Sequence, residues 1–168
     1  TAEASTVIFE VTGAKMEIQH STRFIYERGG EDKQVYLQNG NAWTSVSKLG
    51  ASGKFSLRTP TTVAGVRGTK FFTFTEGGTT GTCHCEGKIA YKNMATGKEE
   101  INDEDYLMYY RGDKAVKLLV ADFKKAGLPV AHNHSEIDNG AIGKKNNLTP
   151  AQAQKMQQLV DQKFAALK

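Results

Sequence analysis

The chain has 168 residues, 39% of them hydrophobic and 24% charged, with 22 Lys plus Arg against 18 Asp plus Glu. This is the composition of a folded domain long enough to bury a core without disulfide staples, and a net charge of +4 spread along the chain leaves no footprint for nucleic acid or a membrane surface. No apolar run approaches the ~20 residues that cross a bilayer, and no leader precedes the strand-like sequence at Val7, so the natural start reads as processed or cut away.

From Val7 to about Tyr110 the pattern has period two, the mark of half-buried strands. Val7, Phe9 and Val11 alternate with Ile8 and Glu10; Met16 and Ile18 alternate with Lys15, Glu17 and Gln19. Phe24 and Tyr26 follow, then Val35 and Leu37 leading into a turn at Asn39-Gly40. Phe55 and Leu57 alternate with Lys54, Ser56 and Arg58, and Phe72 and Phe74 with Thr73 and Thr75. Short strands are expected at Lys88–Lys92 and Tyr106–Tyr110. Turn signals at Gly29-Gly30, Gly77-Gly78, Gly87, Thr96-Gly97 and Gly112 separate them. Many short strands predict a mainly β fold, an antiparallel hairpin stack or sandwich, over residues 1–112.

Residues 113–168 read as a helical and loop extension. Val116, Leu119, Val120 and Phe123 recur at helical spacing and predict a helix over Val116–Lys125, stopped by Gly127 and Pro129. An irregular stretch rich in Asn, Gly and His runs from Ala131 to Asn147. A second helix is predicted over Ala151–Leu167, with Thr149 as N-cap and Pro150 at its first position. Its apolar stripe, Met156, Leu159, Val160, Phe164 and Leu167, either docks on the β body or offers a protein partner a surface.

The segment Thr59-Pro60-Thr61-Thr62-Val63-Ala64-Gly65-Val66-Arg67-Gly68-Thr69-Lys70-Phe71 combines Pro, two glycines and Arg at fixed offsets after an alternating strand. It resembles the T-P-x-x-V-x-G-V-R-G-T-x-F signature of FecR domains, and Glu86-Gly87-Lys88-Ile89 resembles the hairpin that comes after it there; the resemblance covers roughly Val7 to Gly112. Physically the motif reads as a fold element. Pro60 ends a strand, Gly65 and Gly68 permit a change of direction, Val63 and Val66 fill the core, and Arg67 braces backbone carbonyls. The resemblance implies a non-enzymatic, periplasmic or extracellular binding or scaffold domain with a protein partner in the cell envelope.

One element departs from the family pattern. Cys83 and Cys85 stand at i and i+2 of an expected strand, on one face, and His132 and His134 repeat the spacing farther on. Together the pairs compose a Cys2His2 set for one metal ion, zinc by preference, with copper or iron also served by such ligands. His84, Glu136 and Asp138 are further candidates nearby. Buried unligated thiols and a Cys83–Cys85 disulfide are the alternatives. A structural metal would make this a scaffold module; an exchangeable one would make it a metal- or iron-responsive sensor. An open coordination position or redox activity would make it a metalloenzyme or electron carrier. No nucleophile elbow, Walker loop or H-E-x-x-H motif occurs.

Overall fold

The structure, a computed structural model, describes residues 1–3, 5–47, 53–102, 107–129 and 149–167, with the side chains of residues 85 and 86 excepted. The strands are β1 (Val7–Val11), β2 (Ala14–Ile18), β3 (Arg23–Arg28), β4 (Asp32–Val46), β5 (Lys54–Arg58), β6 (Thr62–Val66) and β7 (Thr69–Glu76). They continue as β8 (Thr79–Glu86), β9 (Ile89–Asn93), β10 (Glu99–Asn102), β11 (Leu107–Arg111) and β12 (Lys114–Leu118), and the helices are α1 (Val120–Ala126) and α2 (Pro150–Ala165). Mainly β architecture with C-terminal helices is what the alternation predicted.

The strands form two layers that share β4. One runs β1-β2-β4-β7-β8-β11-β12, the other β3-β4-β5-β6-β9-β10. The C-terminal part of β4 pairs with β2 and β7, its N-terminal part with β3 and β5. Asn39-Gly40 is therefore a bend inside a fifteen-residue strand rather than a turn between two strands. Gly40 has φ +96, and a Cβ there would meet the Thr22 backbone at 2.6 Å, so both torsion and space demand glycine. The bend has a topological consequence. β5 pairs with β4 in parallel, Asp32 opposite Lys54, in an otherwise antiparallel sheet. The link from Val46 to Lys54 reaches at most about 28 Å, whereas a straight β4 would hold its ends about 46 Å apart.

The main core lies between the layers and contains Met16, Val35, Leu37, Phe55, Leu57, Phe71, Ile89 and Tyr91, all essentially inaccessible. The motif Thr59–Phe71 holds the layers together. After β5 ends before Pro60, Thr59 Oγ1 accepts from the amides of Thr61 at 3.3 Å and Thr62 at 3.0 Å. Thr61 Oγ1 donates to Thr80 Oγ1 at 2.6 Å, tying this turn to β8 in the other layer. Gly68, at φ +69, turns the chain from β6 into β7. Two expectations need correction. Gly65 lies inside β6 and changes no direction, and Val63 is half-exposed, because alternation along β6 turns Thr62, Ala64 and Val66 inward.

A second cluster covers the other side of β11 and β12: Tyr109, Val116 and Leu118 pack with Phe123 and Leu128 and with Val160 and Phe164 of α2. Residues 114–118 are thus a strand paired to β11, and α1 starts only at Val120. Asp122 caps α1 by accepting from the Leu119 amide at 2.8 Å, and Gly127 closes it in the left-handed conformation at φ +63. Thr149 and Pro150 open α2 as expected. Two ion pairs pin α2 down, Arg111–Asp161 and Lys163–Asp122, both at 2.8 Å. Of the two readings of the stripe, docking on the β body is the one that holds: Met156, Leu159, Val160 and Phe164 pack on the chain's own sheet, with Val160 0% exposed, while Leu167 is exposed.

Candidate functional site

Strand β8 fixes the first part of the Cys/His set. Cys83 sits between Phe72 and Leu107 in register, on the helix-covered side of the sheet, and is buried. The alternative of a disulfide to Cys85 involves a side chain outside the described residues. The Cys83 Sγ lies 4.0 Å from the His84 carbonyl oxygen. Burial, helped by the nearby Cys83, pushes the Tyr109 phenol well above its ordinary range, so this neighbourhood favours neutral groups. His84 points to the opposite, inner face, where it opposes Phe71 and its Nε2 lies 2.5 Å from the Gly87 carbonyl oxygen. It is not a co-ligand of Cys83 in this arrangement.

The pairing of β7 with β8 shifts by one residue after Phe71–His84, and Cys85 is the extra residue. Strict alternation, the basis for placing Cys83 and Cys85 side by side, does not run through a bulge, which re-aims the side chains beyond it. The Cys85 side chain, and residues 132, 134, 136 and 138, lie outside the described residues. Among the described residues, no group of three or more His, Cys, Asp or Glu is placed to hold a metal ion.

A different feature occupies the outer face of the second layer. Register places Gln34, Ser56, Gly65, Ala90 and Ile101 in one row across β4, β5, β6, β9 and β10. Small residues in the middle of that row leave a groove of about 480 Å³. It crosses five strands, a length of about 19 Å at the usual strand spacing. Among the described residues, Arg28, Lys54, Arg67 and Lys88 line it, with Asp32 the one carboxylate. On the same face, two residues along the strands, Arg58 pairs with Glu27 and stacks on Tyr36, 3.9 Å from the ring centre, and Lys92 lies 3.8 Å from Glu99. The sequence reading missed the groove. Its signal, small outward residues on three strands, becomes visible only once β5, β6 and β9 are known to be neighbours.

These features define a two-layered β domain built around the Thr59–Phe71 motif. The chain matches the family described as FecR protein over residues 2–90, more than half its length, and belongs to that family. Its fold is shared by two crystal structures, each described as that of a candidate anti-sigma factor from Parabacteroides distasonis ATCC 8503. The 2.50 Å structure aligns with a TM-score of 0.59 and 14% identity, over 70% of this chain and 56% of the other. The 1.65 Å structure gives 0.60 and 14%, over 75% and 61%. The chain thus spans less than two thirds of those structures, and at such identity the likeness is one of fold. No curated protein sequence matches it. No helix among the described residues is long and apolar enough to cross a membrane.

Proposed function

We propose that this chain is a regulatory, protein-binding module of the cell envelope, acting outside the cytoplasm and without catalysis of its own. The observation that carries the reading is the FecR match over residues 2–90, the stretch that also supplies the groove floor on β4, β5, β6 and β9. The anti-sigma description of the structural relatives supports a role in signalling. Cell fractionation with photocrosslinking from exposed surface positions in the native host tests it. An extracytoplasmic chain giving a discrete adduct with an envelope protein is expected; a cytoplasmic chain with no adduct contradicts the reading.

A metal clip is a second proposal, favoured by one placement. Cys83 faces the side of the sheet that α1 covers, and the chain leaves α1 through the buried Leu128 toward the residues that include His132 and His134. A zinc ion on Cys83, Cys85, His132 and His134 would tie that segment to β8, closing a long loop; copper or iron suits the same ligands. Elemental analysis of the purified protein is expected to find about one equivalent, lost in the Cys83→Ser, Cys85→Ser double variant. No metal, or the same content in the variant, defeats it. Ready exchange at physiological metal levels would turn the clip into a sensor.

A further inference from the structure

We propose that the groove across β4, β5, β6, β9 and β10 receives an acidic, extended segment of a partner protein, whose backbone comes closest at Gly65. The proposal rests on the reading of the chain as a protein-binding module and names the chemistry of that partner.

Gly65 is the central observation. Glycine in a strand interior weakens the strand and marks a bulge, a tight bend or the close approach of another backbone. The first two are excluded here. Pairing runs without a shift through Gly65 to Ser56 on one side and Ala90 on the other, and its φ is not in the left-handed region. Nothing among the described residues fills its place either: a Cβ would meet only the Ala90 carbonyl oxygen, at an ordinary 3.7 Å. Other glycines differ. Gly87, at φ +91, would bring a Cβ within 2.5 Å of the Gly68 carbonyl oxygen, and Gly81 lies under the Phe74 ring, 2.1 Å from where its Cβ would be. With no described residue over it, Gly65 is assigned to the close approach of a second chain.

The groove's shape and charge select the occupant. A floor of about 19 Å holds roughly six residues of extended chain at strand rise. Its middle, Ser56, Gly65 and Ala90, presents little bulk, which suits a flat backbone better than a helix. The exposed cations Arg28 and Lys54, which line the groove with Arg67 and Lys88, favour carboxylates along the guest. Ile101, 69% exposed at one end, offers an apolar contact for a guest side chain. The cations are strung along the groove instead of converging on one point, as a single phosphate would require.

Selection of random twelve-residue peptides displayed on phage against the whole chain tests the proposal, with anisotropy titrations of the enriched peptides as the second step. The expected pool is rich in Asp and Glu and weakens as salt rises. Its affinity should fall at least about tenfold in Gly65→Leu, which fills the floor, and in the Arg28→Glu, Lys54→Glu double variant. The charge variant changes only surface groups, so it keeps the test decisive should Gly65→Leu misfold. Enrichment without acidic excess, unchanged affinity in the folded groove variants, or no enrichment at all overturns the proposal. Peptides that bind but ignore the groove variants would remove this site while leaving the protein-binding reading intact; that reading fails separately, on the absence of a crosslinked envelope adduct.

Discussion

On the side of the sheet that carries the helices, the outward residues of β7, β8, β11 and β12 include Phe72, Phe74, Cys83, Tyr109, Val116 and Leu118, and the chain covers much of this face with α1 and α2. On the outward side of β5, β6 and β9 they include Ser56, Gly65 and Ala90, flanked by cations and covered by no other described element. Each side contains a strand glycine without positive φ, and the two are used in opposite ways. Gly81 is roofed by Phe74, which stacks edge-on against Tyr109 at 5.4 Å; Gly65 has no roof among the described residues. The covered side is a second core, where large side chains contribute stability. The bare side contributes little to folding, and its shape is free to serve another molecule.

Variants that break this contrast should have graded effects. The largest is expected at Phe164, 6% exposed and lying under the Arg111 guanidinium at 4.6 Å. Phe164→Ala should cost about 3–5 kcal/mol in chemical denaturation, by lost burial plus the cavity it leaves. Gly81→Ala should rank next, at about 1–3 kcal/mol, because the new methyl collides with the Phe74 ring and must displace it. Preserved stability in either variant would show that the helix-covered side is not a core.

Acid should separate the two sides more gently. Asp122 is held below its ordinary pKa by the hydrogen bond from Lys163, aided by the Leu119 amide, and Asp161 by hydrogen bonds from Arg111 and then Gln157. Both carboxylates have depressed folded values. Their contribution is therefore complete above the unfolded value near pH ~4 and is lost as pH falls through the lower folded values. Hydrogen exchange, corrected for its intrinsic pH dependence, should show α2 opening in that window while β4 and β7 stay protected. Uniform loss of protection across α2 and the sheet would contradict the local attachment.

How much of this was legible in the sequence depends on the range of the interaction involved. Local signals held: Thr149 and Pro150 start α2, Gly127 ends α1, and Phe55 with Leu57 face the core. Val116 misled because it fits both periods: with Phe123 it extends a helical stripe, while with Leu118 it alternates. Pairing with β11 decides it. The parallel β4–β5 contact and the bend at Gly40 depend on where distant strands lie, which periodicity does not contain. The motif Thr59–Phe71 was recognisable as a unit, but its two glycines looked alike. Only the backbone shows that Gly68 serves a turn and Gly65 does not. For Cys83 and Cys85, spacing implied a shared face, and the register shift at Cys85 is invisible to spacing.

The smallest stability effect is also the most telling, because Gly65 is assigned to a guest and not to the fold. Equilibrium denaturation of Gly65→Leu beside the wild type measures this directly. The predicted unfolding free energy lies within about 0.5 kcal/mol of wild type, as for a surface substitution without strain, together with loss of acidic-peptide binding. A loss of about 2 kcal/mol or more, in the range of core or backbone damage, would make Gly65 a structural glycine and contradict its assignment to a guest.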